Sequence, residues 1–212
     1  MGKVRAFTRV LFFALLLPPL LTIHLLAGCH TEPRDTAEPE EDLRMVGLAP
    51  SLNEWVLALG GREVLAARTD YDTHPDLLRL PSVGEGLDPS LERLVALDIT
   101  VVLMVQGRDA ASLHDRLESL GIQGVILPTN TITDLYETVT RLGALMGRKE
   151  TADSLFRQLE SELSYIRERV GDRDPVDVMY VVGGNPPVTT GGGTFIHELM
   201  EVVSRGGNLL LN

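Results

Sequence analysis

The chain has 212 residues, of which 44% are hydrophobic and 23% are charged, and its formal net charge is -11. This composition is typical of a globular protein with enough chain for one substantial core. The acidic excess argues against nucleic acid as a partner, because binding to phosphate groups requires a basic surface.

The first 28 residues have the pattern of an export signal. Three basic residues precede an apolar run over residues 10–27, and small residues then lead directly to Cys29, the single cysteine of the chain. This arrangement is typical of a lipoprotein signal, so we expect residues 1–28 to be removed and Cys29 to carry lipid. Because one acyl chain holds a protein only weakly, an anchor at Cys29 implies several chains.

Two other interpretations of this segment stay open. A transmembrane anchor is disfavoured by Pro18 and Pro19 inside the apolar run, and an ordinary signal peptide would leave Cys29 as an unpaired thiol. The lipoprotein interpretation places the protein outside the cytoplasm, attached to a membrane of the cell envelope. Residues 29–42 are then the lipidated cysteine and a solvated acidic tether, because they hold almost nothing to bury.

Residues 43–148 alternate between apolar strand patterns and amphipathic helix patterns. The alternation predicts an α/β lobe in which helices cover a parallel sheet. Strands are expected over residues 44–49, 64–67, 99–105 and 122–127, and helices between them and over 134–146. For the helix starts we expect a capping box of Ser51 with Glu54, an N-cap at Asp88 and an N-cap at Thr133.

A long amphipathic helix is expected over residues 149–170. Its apolar residues recur at three- and four-residue steps, and Gly171 supplies a stop. A further strand is expected over residues 176–182. We therefore predict two Rossmann-like parallel-sheet α/β lobes joined by one long helix (149–171), with residues 172–212 forming the start of a second, incomplete lobe.

Ligands of parallel sheets bind beyond the carboxyl ends of the strands. This rule points to residues 50–53, 69–74, 84–87, 105–109 and 129–130, and the candidate ligand contacts there are Pro50, Ser51, Tyr71, His74, Gly86 and Val105. For Tyr71 the alternative is packing on Pro75, and for His74 a surface position is equally consistent with the sequence. Asn185, Pro186 and Pro187 form either a stiff rim of the site or a simple turn.

An ordered set of segments carries a resemblance to a known family. They are residues 46–54, 69–71, 83–84, 91–97 and 120–122, followed by 184–191 and 199–208. In this order they resemble the helical-backbone (class III) periplasmic substrate-binding proteins of ABC importers for cobalamin, haem and iron-siderophores. The second group is most similar to the cobalamin-binding branch.

The resemblance implies a substrate-binding protein that holds a small-molecule ligand, namely a corrinoid, haem or a ferric siderophore, between two lobes. It also implies delivery of that ligand to an ABC importer permease, which Glu92 would contact, and it implies no enzyme activity and no cofactor. Two departures concern Gly86 and Val105, where cobalamin binders tend to place aromatic residues, and Asn212, beyond which family members continue.

The sequence lacks the usual motifs of hydrolases and metal-binding proteins. Neither the Gly-x-Ser-x-Gly nor the His-Glu-x-x-His pattern of hydrolases occurs, and His30, His114 and His197 lack the spacing of metal ligands. The alternative that stays open is a truncated, non-transporting envelope lipoprotein without a ligand.

Overall fold

The computed structural model describes residues 43–171, 174 and 177–204. The expected signal peptide, Cys29 and the acidic tether therefore lie outside the described residues, as do Val176 and residues 205–212. Among the helices in the described ranges, none combines the length and the apolarity needed to cross a bilayer.

A three-stranded parallel sheet forms the centre of the first lobe. Its strands β1 (Met45–Gly47), β2 (Val101–Val105) and β3 (Gln123–Leu127) lie in the order β1-β2-β3. Both pairings are parallel, as the alternation predicted. The carboxyl ends of all three strands therefore lie at one edge of the sheet, which is the edge where ligands of such folds bind.

Helices cover both faces of this sheet. They are α1 (Pro50–Ala58), a short 3-10 helix (Arg62–Val64), α2 (Leu91–Ala96), α3 (Ala110–Glu118), α4 (Ile132–Leu145) and α5 (Lys149–Val170). Consecutive residues of each strand enter different core clusters: Met45 packs with α1, α4 and α5, whereas Val46 packs with α2 and α3. Strand β2 is an unbroken apolar run because it is buried on both faces.

The predicted N-caps of three helices are each wrong by two residues. Pro50 occupies the first turn of α1 and Ala49 the N-cap, so Ser51 lies exposed inside the helix and caps nothing. At α2 the hydroxyl of Ser90, not Asp88, accepts the hydrogen bond from the Arg93 amide. At α4 the N-cap is Thr131, two positions before the predicted Thr133, and it forms a capping box with Asp134. At α2 and α4 nearby Ser, Thr and Asp side chains compete for the cap, and their pattern alone does not rank them; at α1 no side chain forms a cap.

The strand expected over residues 64–67 is also wrong. Val64 ends the 3-10 helix, and only Leu65 forms a bridge with Met45 of β1. The amide of Ala66 still donates to the Met45 carbonyl oxygen. Because Val64 belongs to the 3-10 helix, it cannot begin a strand, and the segment adds only a single bridge to the edge of the sheet.

The long helix α5 has the bounds that its periodicity predicted, and Gly171 follows it with a positive φ of 54°. It packs closely on α4, where a Cβ atom at Gly143 would lie 2.7 Å from the Cβ of Ala152. The rings of Tyr136 and Phe156 meet edge to face across the same contact. Helix α5 is thus a strut fixed along one side of the first lobe.

The segment after α5 contains β4 (Val181–Gly183), β5 (Val188–Thr189) and α6 (Phe195–Ser204). The described strand covers only the end of the predicted range 176–182, and it pairs antiparallel with β5 instead of opening a parallel unit. Helix α6 contacts α5. The side chains of β4 and β5 are exposed.

Candidate functional site

A cleft of about 300 Å³ opens at the carboxyl edge of the parallel sheet. Three chain segments line it: the residues after β1, the loop at residues 86–87, and the end of β2 with the first turn of α3. The lining residues are Leu48, Ala49, Gly86, Leu87, Met104, Val105, Gly107, Arg108, Asp109, Ala110 and Leu113. A cleft of this size and position has the properties of a small-molecule site.

Gly86 and Val105 are the two predicted contacts that the structure brings together in this cleft. Gly86 lies against the backbone of Leu48, where an added Cβ atom would be only 1.9 Å from the Leu48 carbonyl oxygen. Because a carbonyl oxygen cannot yield like a flexible side chain, this backbone admits only glycine at position 86. The close contact also fixes the loop against the end of β1.

The surface of the cleft is mainly apolar, with charge at one side. Arg108 and Asp109 are the charged residues of its lining, and both are exposed. Leu87 is 94% exposed, more than any other large hydrophobic side chain in the described part of the chain. An apolar side chain that projects freely at the rim of an apolar cleft favours a ligand with a large apolar face.

Pro50 and Ser51 lie beside the cleft but do not line it. They form the first turn of α1, directly after the lining residue Ala49. Pro50 is half-buried, whereas the Ser51 side chain is exposed. Their neighbourhood was predicted from the strand-end rule, which locates a loop but not the direction of each side chain.

Tyr71 lies on the loop next to the cleft, with 58% of its surface exposed. The amide of Asp70 donates to the carbonyl oxygen of Gly84, and the Ser82 hydroxyl donates to the Asp70 carboxylate at 2.6 Å. These bonds attach the Tyr71 loop to the loop that carries Gly86. Tyr71 is therefore presented to solvent one loop away from the cleft.

The His74 side chain forms its hydrogen bond within its own turn. Its Nδ1 atom accepts a hydrogen bond from the Asp76 amide at 3.3 Å, and Nδ1 is also 4.0 Å from the Asp76 carboxylate. The Asp76 carbonyl oxygen in turn accepts from Arg62, which lies beyond the C-terminal end of α1. His74 is not among the lining residues of the cleft.

A buried polar cluster beneath the Tyr71 loop was missed by the sequence reasoning. Asn53, Thr69 and Asp72 are 0%, 0% and 3% exposed. The Asn53 side chain exchanges two hydrogen bonds with the backbone of Gly47 and donates to both carboxylate oxygens of Asp72. The available signal was an asparagine on the apolar face of α1, between Leu52 and Val56.

The remaining predicted residues lie elsewhere. Asn185, Pro186 and Pro187 belong to the exposed turn between β4 and β5, and they are not among the lining residues of the cleft. Glu92 lies exposed in the first turn of α2.

A larger and more open groove of about 770 Å³ lies between α4, α5 and α6. Four of its lining residues are charged: Arg167, Glu168, Glu198 and Glu201. The Glu198 carboxylate accepts a hydrogen bond from the Ile132 amide at the start of α4. This groove does not include the ends of the parallel strands, so we consider the smaller cleft to be the site.

Residues 46–206 match the model of the family described as periplasmic binding protein. The chain is 26% identical over 179 residues to an uncharacterized ABC transporter substrate-binding lipoprotein, YvrC, of Bacillus subtilis, a match that covers 80% of this chain and 56% of the relative. It is 27% identical over 158 residues to the vitamin B12-binding protein of Salmonella typhimurium, covering 74% of this chain and 59% of that protein. The chain thus spans less than two thirds of the length of these relatives.

Solved structures show the same fold. The periplasmic haem-binding protein HutB of Vibrio cholerae superposes with a TM-score of 0.68 at 21% identity, covering 77% of this chain and 64% of that chain. The periplasmic vitamin B12-binding protein BtuF of Vibrio cholerae gives 0.65 at 21% identity, covering 76% and 64%.

The expected α/β fold class, with a parallel-sheet lobe and a long helix, is confirmed by these likenesses. The names of the relatives describe substrate binding and not catalysis, in agreement with the expectation of a non-enzyme. Since the family model matches most of the chain, the protein belongs to the periplasmic binding protein family.

Proposed function

We propose that this protein is the substrate-binding component of an ABC importer, which captures a corrinoid or an iron complex and delivers it to a membrane permease. The observation that carries the proposal is the cleft at the carboxyl edge of the sheet, bounded by Leu48, Gly86 and Val105. The match to the periplasmic binding protein family supports a binding role for that cleft.

The shape of the cleft favours a large ligand of which only one part enters the first lobe. Its volume of about 300 Å³ is at the lower end of the range for drug-sized ligands. The exposed Leu87 at its rim would then be covered by the part of the ligand that remains outside. A tetrapyrrole or corrin ring has an apolar face of suitable extent.

Among such ligands we place a corrinoid first, haem next to it as the other large tetrapyrrole, and a ferric siderophore after them. Two similar proteins are named for vitamin B12, and another is named for haem. Cobalamin binders tend to have an aromatic residue where this chain has Gly86. Here an added Cβ atom would lie 1.9 Å from the Leu48 carbonyl oxygen, so no aromatic side chain fits. The ligand would therefore contact backbone atoms at this point of the cleft.

The test is a titration of the purified chain with cyanocobalamin, haemin and a ferric siderophore, followed by absorbance of the ligand. Trp55 is a poor reporter, because it packs against the core close to α5 and not in the cleft. A matched pair of variants locates the site: Val105→Asp should weaken binding, whereas Val125→Asp, on the neighbouring strand β3 and outside the cleft lining, should not. Binding of none of the three ligands would favour the alternative of an envelope lipoprotein without a ligand.

Lipid anchorage at Cys29 is the second part of the proposal, and it is supported by the name of the Bacillus relative, a lipoprotein. Labelled fatty acid should enter the protein expressed in a bacterial host, and Cys29→Ala should abolish the label. Equal labelling of both forms would exclude Cys29 as the anchor and would leave the export signal as an ordinary signal peptide.

A further inference from the structure

The buried cluster of Asn53, Thr69 and Asp72 is an unusual feature of a core that is otherwise apolar. Only one other polar residue, Thr138, is buried to this degree in the described part of the chain. Burial of polar groups costs free energy even when they are hydrogen-bonded, and apolar residues would fill the same space without that cost. The cluster therefore calls for an explanation beyond packing.

The hydrogen bonds of the cluster connect the end of β1 to the Tyr71 loop. Asn53 accepts from the Gly47 amide at 2.7 Å and donates to the Gly47 carbonyl oxygen at 2.9 Å. Its amide nitrogen also lies 3.0 and 3.1 Å from the two oxygens of Asp72. One side chain thus binds the last residue of β1 and the loop together.

The Asp72 carboxylate also binds Thr69, at the start of the Tyr71 loop. One of its oxygens accepts from the backbone amide of Thr69 at 2.7 Å and from the Thr69 hydroxyl at 2.8 Å. No basic side chain of the described residues forms an ion pair with this carboxylate. The carboxylate is therefore held by directional hydrogen bonds, which fix a particular loop geometry.

The sequence at the end of β1 is adapted to the cluster. A Cβ atom at Gly47 would lie 2.7 Å from the Asn53 side-chain oxygen, so the asparagine can approach the strand only because residue 47 is glycine. Residues Thr69 and Asp72 bracket Tyr71, whose side chain is directed to solvent. The result is an exposed aromatic side chain on a loop that is held at both ends.

We propose that Asn53 and Asp72 are positioning residues, which hold the Tyr71 loop in a ligand-ready geometry relative to the cleft floor at the end of β1. This inference rests on the proposed function, because it assumes that the cleft binds a ligand and that Tyr71 contacts it. Preorganisation of a loop increases affinity by removing the entropy that ordering would otherwise cost on binding. Neither residue contacts the ligand itself, since both are buried.

The test compares Asp72→Asn and the milder Thr69→Val with a matched control, Thr138→Val. Thr138 is equally buried, and its hydroxyl donates to the Pro128 carbonyl oxygen at 2.6 Å, so its loss also removes a buried hydrogen bond. All variants are measured well below their melting temperatures. The dissociation constant for the ligand that the wild type binds among cyanocobalamin, haemin and a ferric siderophore should rise about tenfold in Asp72→Asn and less in Thr69→Val, but stay within about twofold in Thr138→Val.

A second readout needs no ligand. Hydrogen exchange at the amides of Thr69 and Asp72 should accelerate about tenfold in Asp72→Asn and remain at the wild-type rate in Thr138→Val. Equal affinities of Asp72→Asn and Thr138→Val, or unchanged exchange at Thr69, would overturn the inference while leaving the proposed function intact. A wild-type chain that binds none of the three ligands would overturn the proposed function and this inference together.

Discussion

Gly86 lies so close to Leu48 that a Cβ atom on residue 86 would be 1.9 Å from the Leu48 carbonyl oxygen. The two residues belong to different segments of the cleft wall, one after β1 and one in the loop before α2. Their contact determines how closely this loop approaches the sheet, and it thereby sets the width of the cleft.

Gly86→Ala should therefore displace the loop. We expect a loss of about 1–3 kcal/mol in the free energy of unfolding, the usual range for an overpacked position, and weaker ligand binding. Gly107→Ala is the matched control, because Gly107 also lines the cleft but its added Cβ would be 3.9 Å from the nearest atom, the Val105 carbonyl oxygen. Chemical denaturation of both variants decides the point, and equal stability of the two would contradict the contact.

The sequence was sufficient to predict the elements that depend on long patterns. The apolar run of β2 and the periodicity over the 22 residues of α5 each repeat one signal many times, so their type and the bounds of α5 were predicted correctly. The caps at Ser51, Asp88 and Thr133 each depended on a single side chain. In the structure Ser90 and Thr131 cap α2 and α4, and α1 begins at Pro50 without a side-chain cap.

The same distinction applies to the site. The strand-end rule predicted the region of the cleft, because the carboxyl edge follows from topology alone, and Gly86 and Val105 line it. It did not predict the direction of His74, which depends on a bond to the Asp76 amide within its own turn. The Asn53–Asp72 contact joins residues that are 19 positions apart, and no local pattern reports it.

The contact between α4 and α5 offers a second test of close packing. Glycine inside a helix usually costs about 1 kcal/mol relative to alanine, so Gly143→Ala would stabilise an unconstrained α4. Here the new methyl group would lie 2.7 Å from the Ala152 Cβ and 3.2 Å from the Arg148 carbonyl oxygen. We expect the clash to dominate and the midpoint of thermal unfolding to fall.

Gly192→Ala serves as the control for this experiment, because no atom lies within 4 Å of its added Cβ and its unfolding midpoint should hardly change. A higher midpoint for Gly143→Ala would mean that α4 and α5 separate without loss. In that case α5 would not be held as tightly on the first lobe as the structure indicates.

The pKa of Glu63 is lowered from its ordinary value of 4.5, first by a hydrogen bond from its own backbone; burial opposes this lowering, and the hydrogen bond and charge of Arg148 add to it. A carboxylate whose pKa is lower in the folded state stabilises the protein above the pKa of the unfolded state. That contribution is lost as the pH falls through the folded-state pKa, which lies below 4.5.

Glu63→Gln should therefore reduce stability at neutral pH, and its difference from the wild type should shrink as the pH falls below about 4.5. The pair is largely exposed to solvent, so we expect a difference of about 0.2–1 kcal/mol at low salt, and less at high salt. Urea denaturation at several pH values measures it. A difference that is independent of pH would show that the charge of Glu63 contributes nothing to stability.

The last prediction concerns Glu92 as a contact with the permease. Glu92 is exposed in the first turn of α2, where its charge also interacts favourably with the amides at the helix start. The structure is compatible with both roles, and they differ in the effect of substitution. A purely local role affects stability by about 0.3–1 kcal/mol and leaves association unchanged.

Glu150 provides the matched control, because it is likewise exposed in the first turn of a helix, α5. If Glu92 docks on the permease, Glu92→Ala should weaken capture by the permease by about 2 kcal/mol or more, as expected for a desolvated charge pair, and should leave ligand affinity intact. Glu150→Ala should reproduce the small loss of stability without the loss of capture. Permease capture by both variants at low and moderate salt, with ligand affinity measured in parallel, separates the two roles, and equal capture by both would remove Glu92 from the interface.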